Sequence, residues 1–169
     1  MNNLRSQHEP EVFSAVLKYA SMKGEFLWAI SNPVINKSYY MDITWENLRI
    51  PAKIISGMKI VGFPYLQKET YDNWISINNQ SSLLNSLIKN PQVTLLSQED
   101  WVNFAQQYDY RWYIFYTLTR PGFSQDFSQA LIQITAHCPA GPPQYGSLLY
   151  LERIKDIWTV KSSYGLYSQ

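Results

Sequence analysis

Tyr113-Ile-Phe-Tyr-Thr-Leu-Thr119, Ala130-Leu-Ile-Gln-Ile-Thr-Ala-His-Cys138, Ser147-Leu-Leu-Tyr-Leu-Glu-Arg-Ile154 and Ile157-Trp-Thr-Val-Lys-Ser-Ser163 fill most of the last third of the chain, and their reading decides the fold. The first run is dense in aromatic and β-branched residues, which suit a pleated, half-buried surface. It breaks at Arg120-Pro121-Gly122, where proline fixes φ and glycine tolerates positive φ, so a turn is expected. The second run alternates with period two. Ala130, Ile132, Ile134, Ala136 and Cys138 point one way, as the expected core face, and Leu131, Gln133, Thr135 and His137 point the other. Three prolines and two glycines in Pro139 to Gly146 predict a loop there. In the third run Leu149 and Leu151 oppose Leu148, Tyr150 and Glu152. Lys155-Asp156 predicts a tight turn, after which Trp158 and Val160 share a face. Short connections between neighbouring strands make the pairing antiparallel.

The preceding residues must cover this meander. Ser6-Gln-His-Glu9 has the pattern of a helix-capping box, with Pro10 in the first turn. Val12, Val16, Tyr19 and Ala20, flanked by Phe13 and Leu17, then predict an amphipathic helix from Glu11 to Lys23, ended by Gly24. Glu25 to Ser31 reads as a strand closed by Asn32-Pro33. Lys68 to Trp74 and Ser82 to Lys89 read as short helices, the second stopped by Asn90-Pro91. Gln92 to Leu96 reads as a strand. Ser97 and Asp100 open a helix carrying Trp101, Phe104 and Ala105 to Gln107. The expected fold class is therefore α+β, a single domain over 1–169, with an N-terminal helix and further short helices packed on a C-terminal antiparallel β-meander.

Val34 to Pro64 keeps no stable period and is expected to form loops with short strands, including an extended piece over Ser38 to Thr44. An irregular stretch of that length in a compact domain is where function often sits. Its candidate binding residues are Tyr39, Tyr40, Trp45, Phe63 and Tyr65. The plain alternative is that these rings only plug the loop onto the body.

Composition narrows the function classes. Apolar residues make up 46% and charged residues 16%, a globular rather than a disordered balance. The six Trp, thirteen Tyr and seven Phe are the unusual feature; Tyr and Trp combine large buried area with a polar handle and are frequent at interfaces. A net charge of +1 gives no electrostatic footprint for nucleic acid or an anionic membrane. No apolar run approaches the ~18 residues of a membrane span. The single cysteine excludes an internal disulfide and fits a reducing compartment. As it stands the sequence reads as that of a soluble, cytoplasmic protein, and as a secreted or lipid-anchored one if a leader has been removed.

Several patterns resemble a family of small uncharacterised bacterial proteins, notably cyanobacterial ones. They are Trp112-x-x-Phe115-Tyr116, Thr119-Arg-Pro-Gly-Phe-Ser124, Ser128-Gln-Ala-Leu131, Tyr150-Leu-Glu152 and Trp158-Thr-Val160. Members of that family often read Trp-x-x-Phe-Tyr, Ser-Arg-x-Gly-Phe-Asn and Gln-Ala-Leu, with a closing strand pair carrying Lys-x-Gly-x-Trp. This chain departs from them at Thr119, Ser124 and Asp156. Of the two cysteines common in the loop at 138–146 only Cys138 is present, so no disulfide carries over. The resemblance covers about the last 60 residues. It implies a helix-then-curved-sheet order similar to cystatin-like or NTF2-like folds, and no activity.

Catalytic chemistry finds little support. His137 and Cys138 adjoin on a strand and so point to opposite faces, which forbids a dyad. His8 and the other two residues lie too far apart in sequence to suggest a metal site. The carboxylates Glu99, Asp100, Asp109, Asp126, Glu152 and Asp156 could each place an acid in a pocket if the sheet curls around one, and Glu152, on the Leu148/Tyr150 face, is a functional candidate if that face lines the cavity. Arg120 is expected to bond the turn backbone beside it. The leading expectation is a non-enzymatic protein, without a cofactor, that engages a protein partner through an aromatic-rich surface. The alternative is an NTF2-like pocket for a small molecule, with acid–base activity at Glu152 or His137.

Overall fold

In the computed structural model, residues 2–22, 25–31, 42–51, 53–55, 58–107 and 110–168 are described. The expected terminator Gly24, the Asn32-Pro33 break and most of the extended piece at 38–44 lie outside them. The elements in chain order are α1 (Asn2–Tyr19), β1 (Glu25–Trp28), α2 (Trp45–Leu48), β2 (Lys53–Ile55), β3 (Met58–Ile60), α3 (Lys68–Ile77), β4 (Val93–Leu96), α4 (Gln98–Gln107), a 3₁₀ turn (Tyr110–Trp112), β5 (Phe115–Leu118), β6 (Gly122–Phe123), β7 (Gln129–Cys138), β8 (Gly141–Ile154) and β9 (Ile157–Ser168). The class is α+β.

The main sheet has seven strands in the order β4-β1-β5-β7-β8-β9, with β6 also paired to β7. It is mostly antiparallel, and the β7-β8-β9 meander reads as the sequence predicts. The mixed part is at the other end, where β1 runs parallel to both β4 and β5. Lys155 and Asp156 both take positive φ, 49° and 63°, in the hairpin between β8 and β9.

Four expectations are corrected. First, α1 is already helical at Ser6, so the pattern Ser6 to Glu9 is not its cap, and Pro10 sits inside the helix. Second, 82–89 is not a helix. Its backbone is committed elsewhere: Leu84 N–H donates to the Ala29 carbonyl and Ser31 N–H to the Ser82 carbonyl, each at 2.7 Å, and Leu83 bridges Ile30. Only one turn remains, and Leu84 and Ile88 fill the core as isolated plugs. Third, Pro139 to Gly146 is not a loop. β8 begins at Gly141 and pairs with β7, while β9 reaches only as far as Tyr145. Pro142 and Pro143 thus lie on a strand segment with β9 absent from one side, where a missing N–H breaks no ladder. Fourth, Arg120-Pro121-Gly122 does not turn the chain back. β5 and β6 lie along the same strand, with Leu118 opposite Ile134 and Gly122 opposite Leu131. The reversal comes at 124–128, where Ser124 and Ser128 hydroxyls donate to Asp126 at 2.7 Å and Phe127 takes a φ of 54°.

Period two along β7 holds, but both of its faces are buried. Ala130, Ile132, Ile134 and Ala136 join Leu149, Leu151 and Trp158 beneath Val12, Phe13, Val16 and Leu17 of α1. Leu131, Leu148 and Tyr150 face the other way, into a second cluster with Ile43, Leu48, Phe63, Leu66 and Trp74. The helix stripe that the sequence displays therefore covers one face. The irregular segment and α3 cover the other.

Candidate functional site

The cover of the second face starts at Thr44, whose hydroxyl caps α2 by accepting from the Asn47 N–H at 3.2 Å. This aims Trp45 back over the loop that follows β3, where its indole N–H donates to the Leu66 carbonyl at 3.1 Å. The Arg49 guanidinium lies 4.8 Å above the Trp45 ring and its Nε donates to the Pro64 carbonyl. Gly62 is required here, because a Cβ would stand 2.3 Å from the Ile50 carbonyl oxygen.

From Gly62 the chain alternates in and out. Phe63 is 1% exposed; it stacks on Tyr150 with centroids 5.5 Å apart and meets Tyr164 edge-on. Tyr65, two residues on, is 78% exposed, and Leu66 is buried again. Gln129 pins the loop at that point. Its side-chain amide donates to the Tyr65 carbonyl at 2.9 Å and accepts from the Gln67 N–H at 2.9 Å. Tyr71 closes the edge by donating to the Ile43 carbonyl. Burial, then the nearby Glu46 and Asp72 carboxylates, hold the Tyr71 phenol above its ordinary range. The hydrogen bond that the Lys68 ammonium donates to the Asp72 carboxylate likewise raises Lys68.

Of the predicted binding residues, Trp45 is half-buried on α2 and Tyr65 is exposed on the loop after β3, and the bond from the Trp45 indole to the Leu66 carbonyl ties the two elements together. Phe63 is beneath that loop as an anchor, because a ring at that position fills the gap between Tyr150 and Tyr164. Tyr39 and Tyr40 lie outside the described residues. The exposed Ile54 and Val61 belong to the same segment.

The candidate acid–base groups are dispersed. Glu152 accepts from the Tyr150 phenol at 2.8 Å, and burial followed by that bond pushes the phenol far up. His137 is exposed and Cys138 buried, on opposite faces as expected, with the Cys138 thiol turned to the Arg111 carbonyl. Glu99, Asp100, Asp126 and Asp156 are exposed, and Asp109 lies outside the described residues. No cluster of three His, Cys, Asp or Glu side chains able to hold a metal occurs among the described residues. Among the described residues three open grooves flank α1, of about 310 Å³ against Ile88 and Pro91, about 570 Å³ against Met22, Asn90 and Gln92, and about 460 Å³ against Asp156, Ile157 and Trp158; none is lined by Glu152 or His137.

One polar centre escapes sequence reasoning. Glu9 is 1% exposed; Arg120 grips it through Nε and Nη2 at 2.9 and 2.8 Å, and Arg5 reaches it at 3.2 Å. Arg5 also bonds the Pro121 carbonyl and Asn73, while Asn78 exchanges bonds with the Arg120 backbone. Arg120 therefore serves α1 rather than its own turn. The available signal is spacing: Arg5 and Glu9 continue the inward stripe of Val12, Phe13 and Val16, so a charge on that stripe needs a buried partner. This centre fixes α1 and α3 to the strand corner at 119–123 and holds no vacant acid or base.

No family model, curated protein or solved structure matches the chain.

Proposed function

We propose that this protein acts by binding another protein, without catalysis, through the braced aromatic surface that Tyr65 and Trp45 present. The observation that carries the reading is the contrast at Phe63-Pro-Tyr65: one ring is sunk to 1% exposure, and the next stands out at 78% on a backbone held by Gln129. A large exposed ring on a preordered loop loses little entropy on docking, and Tyr, Trp and Arg are the residue types that dominate interface energies. Arg49 above Trp45 adds the third of these types. The small-molecule reading has less support, because neither Glu152 nor His137 lines a groove beside α1. We also keep the cytoplasmic setting as a proposal; no described helix is long and apolar enough to cross a membrane.

The test places a photo-crosslinking residue at position 65, and separately at the exposed position 163, in native extract. A discrete adduct at 65, missing at 163 and weakened by Arg49→Ser, is the expected result. Equal labelling at both positions, or a monomer without adduct, would remove the reading.

A further inference from the structure

β9 closes the main sheet at one end; among the described residues it pairs with β8 and with no other strand. The turn before it sets the direction of its backbone groups. Lys155 and Asp156, both at positive φ, form a two-residue hairpin loop, so Ile154 and Ile157 exchange the first ladder bonds. Opposite Trp158, the Arg153 N–H turns away to the Ser128 carbonyl at 2.9 Å. The N–H and carbonyl of Trp158 therefore face outward, and so do those of Val160. Past Val160 the register slips at Lys161, so the regular edge is short, from Ile157 to Lys161. α1 walls this edge. The groove between them, of about 460 Å³, is lined by Glu11, Ser14, Ala15 and Lys18 of α1 and by Ile157 and Trp158 of β9. The four helical residues stand at i, i+3, i+4 and i+7 and share one flank, which reads acid, small, small, base. The Glu11 side chain is 51% exposed although it meets His8, and Lys18 is exposed.

We propose that a second copy of this chain docks on this edge, β9 against β9 in antiparallel pairing about a two-fold axis at Thr159. Both the strand and the helix flank are complementary to themselves. About Thr159, Trp158 of each copy stands opposite Val160 of the other, which brings the outward backbone groups together, and the two exposed threonines face each other. Ile157, 67% exposed, falls opposite the aliphatic stem of Lys161. The same axis turns α1 antiparallel to its copy. Around the midpoint between Ser14 and Ala15, Glu11 then faces Lys18 of the second copy at both ends, and the small pair between them lets the helices approach. A foreign strand would use the edge alone; the charges spaced evenly about a small centre match an antiparallel copy of themselves. The bulge at Lys161 limits pairing along the strand, and a two-fold dimer consumes the edge, so the assembly closes rather than growing. The Tyr65 surface is separate, and Ser163 lies past the paired stretch.

The experiment is sedimentation velocity of the full chain over a concentration series, with circular dichroism as the check on folding. The expected result is a monomer–dimer equilibrium. Val160→Pro removes an outward N–H from each copy, leaves the β8 ladder whole and shifts the protein to monomer. Lys18→Glu weakens the dimer about tenfold, because like charges then meet at both ends. Adding Glu11→Lys to Lys18→Glu reverses the pair and restores the dimer. Lys89→Glu, across α1 from this groove, changes nothing. A chain that stays monomeric at every concentration, a dimer indifferent to Lys18→Glu or to a folded Val160→Pro, or a double variant no tighter than Lys18→Glu overturns the proposal. The charge variants decide it even if Val160→Pro does not fold.

Discussion

The two faces of β7 and β8 are equally buried, yet they are covered in different ways. One face meets α1, a single element whose apolar residues recur three and four apart. The other meets a patchwork in which Ile43, Leu48, Phe63, Leu66 and Trp74 arrive from separate short elements. A helix advertises its inward face because the same period repeats several times within it. A patchwork cover repeats nothing, and each anchor is fixed by the gap it fills. The difference also locates the exposed rings. A helix laid on a sheet turns its apolar stripe inward as a unit, whereas a loop alternates, and the alternation leaves Tyr65 outside.

If Trp74 is the keystone of the patchwork, removing it has the largest effect. It is fully buried, donates to the Thr119 hydroxyl at 3.0 Å and lies under Gly122. Trp74→Ala is expected to lower stability by about 3–5 kcal/mol in urea unfolding. Gly122→Ala should damage the same contact, since a Cβ would stand 2.3 Å from Trp74 Cβ, on a crossing where backbone must move. A loss below about 1 kcal/mol for Trp74→Ala would mean the second face is held some other way.

Phe63→Ala comes next, at about 3 kcal/mol, because its cavity opens between Tyr150 and Tyr164. Glu9→Ala probes the other cover at similar size. It strands Arg120 and Arg5, and the penalty falls near the lower end of the ~3–5 kcal/mol of a broken buried pair. The reason is that the two arginine side chains keep 27% and 21% of their exposure, so water meets part of the cost. A Glu9→Ala protein as stable as the parent would reduce α1 to a purely apolar contact.

Alkaline pH sharpens the comparison further. The Tyr150 phenol is raised by burial and then by Glu152, so its contribution is intact below the ~10 of a solvated tyrosine. Above that pH the unfolded chain sheds the proton first, and stability drains away as pH rises. Tyr150→Phe should flatten the pH dependence of unfolding beyond about pH 10. Parallel curves for the two proteins would count against this account. Tyr65→Ala has the smallest expected effect on folding, within about 0.5 kcal/mol for an exposed side chain. Its effect on partner binding should be about 30-fold or more, the scale of an interface hot spot. A large stability loss at 65 would show that this ring, like Phe63, is an anchor.

Much of the site was half-legible. The aromatic surplus and lost periodicity at 34–64 point to a loop cover; among the described residues, the cover carries Trp45 half-buried and Tyr65, just beyond the segment, exposed. That Phe63 turns inward depends on Tyr150 and Tyr164, 87 and 101 residues downstream, and no local pattern encodes that gap. The same distance hides the grip of Arg120 on Glu9, which spans 111 positions.

By itself the sequence determined the meander, the β8–β9 turn, the inward stripe of α1 and the α+β class, because each rests on interactions within a few residues: period two, period 3.6, and backbone conformations that particular residues tolerate. Only the tertiary structure decided that 82–84 would bond to residues 29–31 just beyond β1 instead of coiling, that Pro142 and Pro143 would extend a strand, and that β1 would run parallel between β4 and β5. For 82–84 and for β1 the backbone's hydrogen bonds are satisfied by partners far along the chain, and for the start of β8 by the neighbouring β7; that supply outweighs a local preference worth less than about 1 kcal/mol per residue.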